Sequence, residues 1–347
     1  MTVSLTKTSR LREWRNRVVL VVVSLLIAIL LAELATRLFF PISDRRDNLL
    51  LDGRNIVSYV TPGTVYRQIS NEYDALTTIT DKGHRAPAVE GDPEIVFIGD
   101  SFTFGHGLND AETFASIYCG RTGRACANLG LPSSGTVKQV ERLEEFLDRW
   151  QWHPREVRLF FFGMSGSFSA GNDFVDNYHR AVTREAAVRN PTQPADADGG
   201  SRGVTERIIG LQAALLRHSN LMRMLKFHAG PRLKAMFIAE PGEERMRKAL
   251  DATRQGLQRL DELSRQRGFD YRIYLIVPVQ DLLRGSYPDT LATLQSVAPV
   301  SVISTAESLL DSPTRYYYAF DGHLNSIGSR RVAEFLVAED SEHARND

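Results

Sequence analysis

Ile95-Val96-Phe97-Ile98-Gly99-Asp100-Ser101-Phe102-Thr103-Phe104-Gly105 decides how the rest of the chain is read. Four consecutive apolar residues closing on a glycine suit a short strand buried on both faces, the pattern of a parallel sheet. Gly99 permits a tight exit, and Ser101 is then presented at the carboxyl edge of the sheet, where open α/β folds place their sites. A serine there is either a nucleophile in need of a base or the N-cap of the next helix. The local sequence fits both.

Strand and helix patterns alternate downstream. A helix is predicted over 111–119, a strand over 124–129, and a loop at Pro132-Ser133-Ser134-Gly135. Val137, Val140, Leu143, Phe146, Leu147 and Trp150 then follow the three-and-four spacing of a helix with one buried face. After Pro154 comes a strongly apolar strand, Val157 to Phe162. Helices are predicted over 207–226 and 243–267, strands over 271–277 and 300–303, and a closing helix over 326–338. The order predicts a three-layer α/β/α sandwich on a mainly parallel five-stranded sheet. Its domain spans 91–340, with a mobile loop at 190–204, a helical insertion over 205–268 and a tail at 341–347. Residues 41–90 read as a membrane-proximal segment wrapping onto the domain edge.

The N-terminus differs from everything after it. Lys7, Arg10, Arg12, Arg15 and Arg17 lie in a basic stretch, 1–17, before a run from Val18 to Ala32 without a charge. Carried past Glu33 to Phe40, the run predicts a transmembrane signal anchor over 18–40, with 1–17 in the cytoplasm. The alternatives are a cleaved signal peptide, which calls for a shorter apolar core and a small-residue cleavage site, and a buried soluble helix, which would not need five preceding cations. The catalytic domain is therefore expected on the periplasmic or extracellular side of the inner (cytoplasmic) membrane, with bilayer lipid as a partner. Lysine plus arginine and aspartate plus glutamate each total 42, which gives no basic bias toward a nucleic-acid partner. The two cysteines, Cys119 and Cys126, flank a turn and are either disulfide-bonded in an oxidising compartment or two free thiols. They lack the companions of a metal site.

A serine nucleophile needs a base, and Phe320-Asp321-Gly322-His323-Leu324-Asn325 offers one. Asp321 can orient the ring of His323 through one nitrogen while the other accepts the proton of Ser101; the alternative is a helix-capping turn. Donors for an oxyanion are the N–H groups of Ser101 and Ser133 and the side-chain amide of Asn172 in Gly171-Asn172-Asp173. Asp173 and Asp176 read as loop-holding residues. His106 lines the pocket or caps a helix.

Taken in order, these blocks resemble the SGNH/GDSL hydrolase superfamily. Gly99-Asp100-Ser101 matches its nucleophile block, and Asn128-Leu129-Gly130-Leu131-Pro132-Ser133-Ser134-Gly135-Thr136 looks like its second. Gly171-Asn172-Asp173 matches the third and Asp321-Gly322-His323 the last. The resemblance spans roughly 94–338. It departs where Ser133 stands in place of the usual oxyanion-hole glycine, and where residues 163–170 separate the third block from its strand. The Asp-Gly-His spacing, followed by a residue and asparagine, is similar to membrane-tethered and polysaccharide-acetylating branches. A Gly-x-Arg element found in related anchored proteins implies that Arg85 stands near the pocket, although a solvated loop is the plainer reading.

The resemblance implies a serine esterase, needing no metal or organic cofactor, that acts on a small O-acyl group such as acetyl on an envelope or exported glycan. Polysaccharide O-acetyl transfer, with a membrane partner delivering the acyl group, is the runner-up. A catalytically silent anchored scaffold is the alternative of another class, since fold alone does not prove chemistry. A Ser101–His323 separation of roughly 3–4 Å marks the enzyme, and one near 8 Å the scaffold.

Overall fold

The computed structural model describes residues 5–39, 60–70, 72–164, 172–189, 219, 221–222 and 243–346. The expected loop at 190–204 lies outside these, as do most of the first insertion helix and residues 41–59. The chain divides into two compact units, residues 1–43 with 198–230 and residues 44–197 with 231–347.

In the first unit, α1 (Leu5–Phe39) is one continuous helix. Its apolar part, Trp14–Phe39, has 26 residues; at 1.5 Å per residue that is about 39 Å, long enough to cross a hydrocarbon core. Glu33 interrupts this stretch but is fully engaged. Its carboxylate accepts hydrogen bonds from Arg37 Nε at 2.7 Å, Ser219 Oγ at 2.7 Å and Leu221 N at 3.1 Å, as an acidic group in an apolar helix must be.

The second unit begins with an antiparallel hairpin, β1 (Val65–Ile69) and β2 (Asp74–Thr78). Then follow β3 (Ile95–Gly99), α2 (Ser101–Phe104), α3 (Phe114–Thr122), β4 (Cys126–Asn128), α4 (Thr136–Trp150), β5 (Glu156–Phe162) and α5 (Asp173–Arg189). The chain continues through α6 (Glu243–Arg267), β6 (Asp270–Ile276), α7 (Val279–Arg284), α8 (Tyr287–Gln295), β7 (Val302–Ser304), α9 (Pro313–Tyr316) and α10 (Ser326–Asn346). The five-stranded sheet has the order β4-β3-β5-β6-β7, and every pairing is parallel. Helices α4, α5 and α6 pack together over one face and α3 with α10 over the other, giving three layers. The chain leaves β3 toward β4 and then returns past it to β5. Such a reversal opens a crevice at the carboxyl ends of the strands, and Ser101 stands there.

Every residue of β5 is buried, as expected for a central parallel strand. Across three strands Phe97 stacks on Phe160 (centroids 5.9 Å apart) and Phe160 on Tyr274 (4.8 Å). The same strand carries Arg158, fully buried. Its guanidinium donates to Glu156 at 2.9 Å twice and to Asp340 at 2.8 and 2.9 Å, and lies 4.6 Å from the Tyr118 ring centroid. A buried charge persists only when paired in this way.

Three expectations change. Residues 341–347, read as a tail, continue α10 to Asn346, because Glu339 and Asp340 hold that helix against Arg272 and Arg158. Residues 243–267 of the expected 205–268 insertion form α6, which with α5 lies in the crossover from β5 to β6, with Leu257, Leu260 and Leu263 fully buried. Asp173 and Asp176 sit in the first turn of α5, not in a loop. Cys119 and Cys126 form a disulfide with a Cα–Cα distance of 6.0 Å, tying α3 to β4.

Replacing Arg158 by methionine removes the fully buried one of the two arginines that Glu156 and Asp340 share, leaving Arg272. We expect a loss of about 3 kcal/mol of stability, the order seen when a buried ion pair loses one member. Chemical denaturation followed by circular dichroism measures it, and an unchanged midpoint would contradict the pairing argument.

Candidate active site

The strand-to-helix turn at Gly99 is tightly packed. A Cβ there would lie 2.1 Å from Thr103 Oγ1 and 2.8 Å from the Phe160 carbonyl oxygen, so only glycine fits. Asp100 caps α2, its Oδ1 accepting from Phe102 N at 2.9 Å. Ser101 is thereby set as the first residue of the helix, half-buried at the rim.

Asp321 and His323 arrive from the other end of the chain, in the turn between α9 and α10. Gly322 has φ +83, a left-handed conformation that glycine adopts without penalty, and it folds Asp321 back onto the ring two residues later. Asn325 fixes the turn. Its Oδ1 accepts from Ile327 N and Gly328 N, and its Nδ2 donates to the Arg315 and Tyr317 carbonyls. The result is a connected line: Asp321 Oδ1 lies 2.5 Å from His323 Nδ1, and His323 Nε2 lies 2.7 Å from Ser101 Oγ. The imidazole is flanked by the rings of Phe102 (centroids 4.7 Å apart) and His106 (4.8 Å).

Burial opposes charge on His323, but the adjacent Asp321 carboxylate outweighs it through charge and hydrogen bonding, so the ring titrates above its ordinary 6.5. Burial likewise works against charge on Asp321, yet His323 holds its carboxyl far below the usual carboxylate range. An ionised Asp321 beside a basic imidazole is the polarity that proton abstraction from a serine requires. Asp100, deprived of solvent, is pushed up to about 7. Asp173 is raised well above the carboxylate range by burial and by the charge of Asp100.

Of the remaining predicted donors, Ser133 lies in the loop after β4 and Asn172 stands immediately before α5. The loop after β4 is pinned by Asn128, whose Nδ2 donates to the Thr103 carbonyl and whose Oδ1 accepts from Gly130 N. Within it Ser133 is exposed and has φ +58, the left-handed conformation that glycine adopts most readily. Among the described residues no hydrogen-bond acceptor pairs with the backbone N–H of Ser133 or Ser101. Gln139 ties this loop to the start of α5, donating to the Ser134 carbonyl at 2.9 Å and to Asp173 at 3.3 and 3.4 Å. Asn172 is buried, and its Oδ1 accepts from Val175 N at 3.0 Å to cap α5, so its Nδ2 is the group with donor character for an oxyanion.

His106 does stand beside the predicted pair, its Nε2 3.7 Å from Asp321 Oδ2. Arg85 does not line an open pocket. It is fully buried, with its guanidinium on Asp110 Oδ1 at 3.1 Å, the Leu108 carbonyl at 2.6 Å and Thr77 Oγ1 at 3.1 Å, where it braces the β1–β2 hairpin against the loop following α2. His106, Asp321 and His323 present ligand atoms within 4.8 Å of one another, a grouping able to take a divalent cation. Both ring nitrogens of His323 are already engaged, so a cation would have to displace one of those bonds.

Sequence reading missed Glu72 and Tyr73, at the hairpin. The Glu72 carboxylate accepts from Phe320 N at 3.1 and 3.0 Å and from Asp321 N at 2.8 Å. The Tyr73 hydroxyl donates to Asp321 Oδ2 at 3.2 Å and lies 3.1 Å from His106 Nε2.

No protein-family model matches the chain, and no curated protein matches it. Among solved structures it is similar to the psychrotrophic esterase EstA from Pseudoalteromonas sp., at 11% identity and a TM-score of 0.39 over 73% of this chain and 100% of that one. It is also similar to a member of the lipolytic protein G-D-S-L family from Veillonella parvula, at 10% identity and a TM-score of 0.38 over 70% and 96%. A variant of an acetylxylan esterase from Geobacillus stearothermophilus gives 14% identity and a TM-score of 0.38 over 73% and 96%. Likenesses this low carry neither family nor activity to this chain, and the functional reading rests on its own residues.

Ser133 supplies one prediction. An L residue in the left-handed region costs about 1–2 kcal/mol, so Ser133→Gly should retain function and raise stability by about 1 kcal/mol after the greater freedom of glycine in the unfolded chain is offset. A thermal melt that shows destabilisation would contradict the strained placement.

Proposed function

We propose that this protein is a serine-dependent ester hydrolase of SGNH/GDSL type, acting on a small O-acyl group, most simply acetyl, of an envelope or exported glycan. The observation that carries the reading is the 2.7 Å contact between Ser101 Oγ and His323 Nε2, with Asp321 on the opposite ring nitrogen. In the proposed reaction Ser101 Oγ attacks the ester carbonyl carbon as its proton passes to His323 Nε2. Asp321 stabilises the imidazolium and fixes the ring. The N–H groups of Ser101 and Ser133 and the Asn172 amide meet the oxyanion. Collapse breaks the carbon–oxygen bond to the alcohol, which takes the proton from His323, and water then releases the acyl group from Ser101.

The choice of a glycan rests on two features of the chain. Asp321-Gly322-His323-Leu324-Asn325 is similar to polysaccharide-acetylating branches of this superfamily, and the apolar helix suits an enzyme tethered at the envelope. Five cations in the N-terminal part of that helix, ahead of its uncharged run from Val18 to Ala32, favour a cytoplasmic N-terminus and a domain on the periplasmic or extracellular side.

Full-length protein given acetylated glycan should release acetate, and Ser101→Ala should lower the rate about a thousandfold or more while leaving the circular dichroism unchanged. Unaltered turnover in that variant would exclude the nucleophile. Acetyl movement onto unacetylated glycan in place of release would make the protein a transferase that needs an acyl-donor partner.

The pH profile is an independent check. His323 must be neutral to accept the proton, and its pKa is raised above 6.5. The acid limb of kcat/KM should therefore have its midpoint above pH 6.5, with activity lost as pH falls through it. A midpoint below about 6 would contradict the assigned base.

A further inference from the structure

The turn bearing Asp321 and His323 is held from outside the α/β sandwich. The β1–β2 hairpin belongs to the stretch of chain between the apolar helix and the first strand of the five-stranded sheet, and it contributes no strand to that sheet. Yet Glu72, beside the hairpin turn, takes up the backbone N–H groups of Phe320 and Asp321, and Tyr73 reaches the carboxylate oxygen that His323 leaves unused. Inner-face contacts secure the hairpin to the loop following α2. Gln68 Nε2 donates to Thr77 Oγ1 at 2.7 Å, its Oε1 accepts from Gly107 N at 3.0 Å, and Tyr318, which packs on Tyr73 with centroids 5.0 Å apart, donates to the Gly107 carbonyl at 2.8 Å. A Cβ on Gly107 would lie 2.8 Å from the Tyr73 ring, so that ring is closely confined.

We infer that Glu72 and Tyr73 are positioning residues for the proposed reaction: the hairpin fixes the orientation of Asp321 and shares out its charge, and through Asp321 sets the orientation and basicity of His323. The inference rests on the esterase reading of Ser101 and His323. The chemistry follows from donor counting. Tyr73 has one hydroxyl proton. When it goes to Asp321 Oδ2, His106 Nε2 must donate to the tyrosine oxygen, and the contacts run in one direction: His106 to Tyr73, Tyr73 to Asp321. Asp321 then accepts from Tyr73 on one oxygen and from His323 on the other. A carboxylate held by a donor on each oxygen cannot rotate away from the imidazole when the imidazolium forms. Removing the tyrosine hydroxyl leaves more negative charge for His323 to meet, which favours the imidazolium and moves its titration upward. The titratable groups around the pair are Asp100, His106, Tyr318 and Glu72, and Tyr73→Phe leaves all four in place.

Full-length Tyr73→Phe and Glu72→Gln, assayed on p-nitrophenyl acetate beside wild type and Ser101→Ala, test the inference. Tyr73→Phe should lower kcat by about tenfold, the order for losing one hydrogen bond to a charged group, with KM within about twofold, and should shift the acid limb of kcat to higher pH. Glu72→Gln should lower kcat in the same direction. If both variants keep wild-type kcat and an unmoved acid limb, or lose only melting temperature, the hairpin is a brace and the inference is overturned. Should Tyr73→Phe not fold, Glu72→Gln decides by the same criteria. Hydrolysis surviving in Ser101→Ala would instead overturn the esterase reading itself, whereas an inactive Ser101→Ala beside wild-type-like Tyr73→Phe and Glu72→Gln would overturn only the positioning role.

Discussion

One hydrogen bond, 2.7 Å between Ser101 Oγ and His323 Nε2, joins groups 222 positions apart in sequence, and the site is organised around making it possible. From one side the serine is delivered by a buried strand whose last residue has no room for a side chain. From the other, His323 is delivered by a short turn with a left-handed glycine at its centre. The first is held in the parallel sheet. The second is held by hydrogen bonds to Asn325, Glu72 and Tyr73 together with the packing of Phe102 on the imidazole and of Tyr317 and Leu324 in the core.

This dependence bears on the electrostatics of the site. Burial disfavours charge on Asp100, Asp173, Asp321 and His323 alike, and only the Asp321–His323 pair is close enough for mutual attraction to overcome it. Asp100 and Asp173, for which burial outweighs the attractions they have, are pushed upward. Asp321 is held low beside the imidazole, which is the asymmetry general-base chemistry needs.

Much of the fold was legible because parallel strands buried on both faces announce themselves as uninterrupted apolar runs. Ile95–Gly99, Glu156–Phe162 and Asp270–Ile276 all fall within a residue or two of the sequence reading. The β1–β2 hairpin was not, because its polarity is inverted. Gln68 and Thr77 point inward and bond each other, while Val65 and Leu76 are about half exposed, so apolar alternation gives no signal there. Glu72 and Tyr73 were missed with it. The length of α10 was hidden for a related reason, since its last turns are held by charge pairs of Glu339 and Asp340 with arginines far away in sequence. Of the candidate site, Ser101, Asp321 and His323 could be named from local pattern, but the burial of Arg85 could not. Its partners Thr77, Leu108 and Asp110 come together only in the folded chain.

The most direct test of the central claim is covalent. A fluorophosphonate reacts with a serine only where a neighbouring base activates it, and peptide mass spectrometry identifies the modified residue. The account predicts stoichiometric modification of Ser101 in the full-length protein and its loss when His323 is replaced by alanine. Labelling that persists without His323, or that falls on another serine, would contradict it.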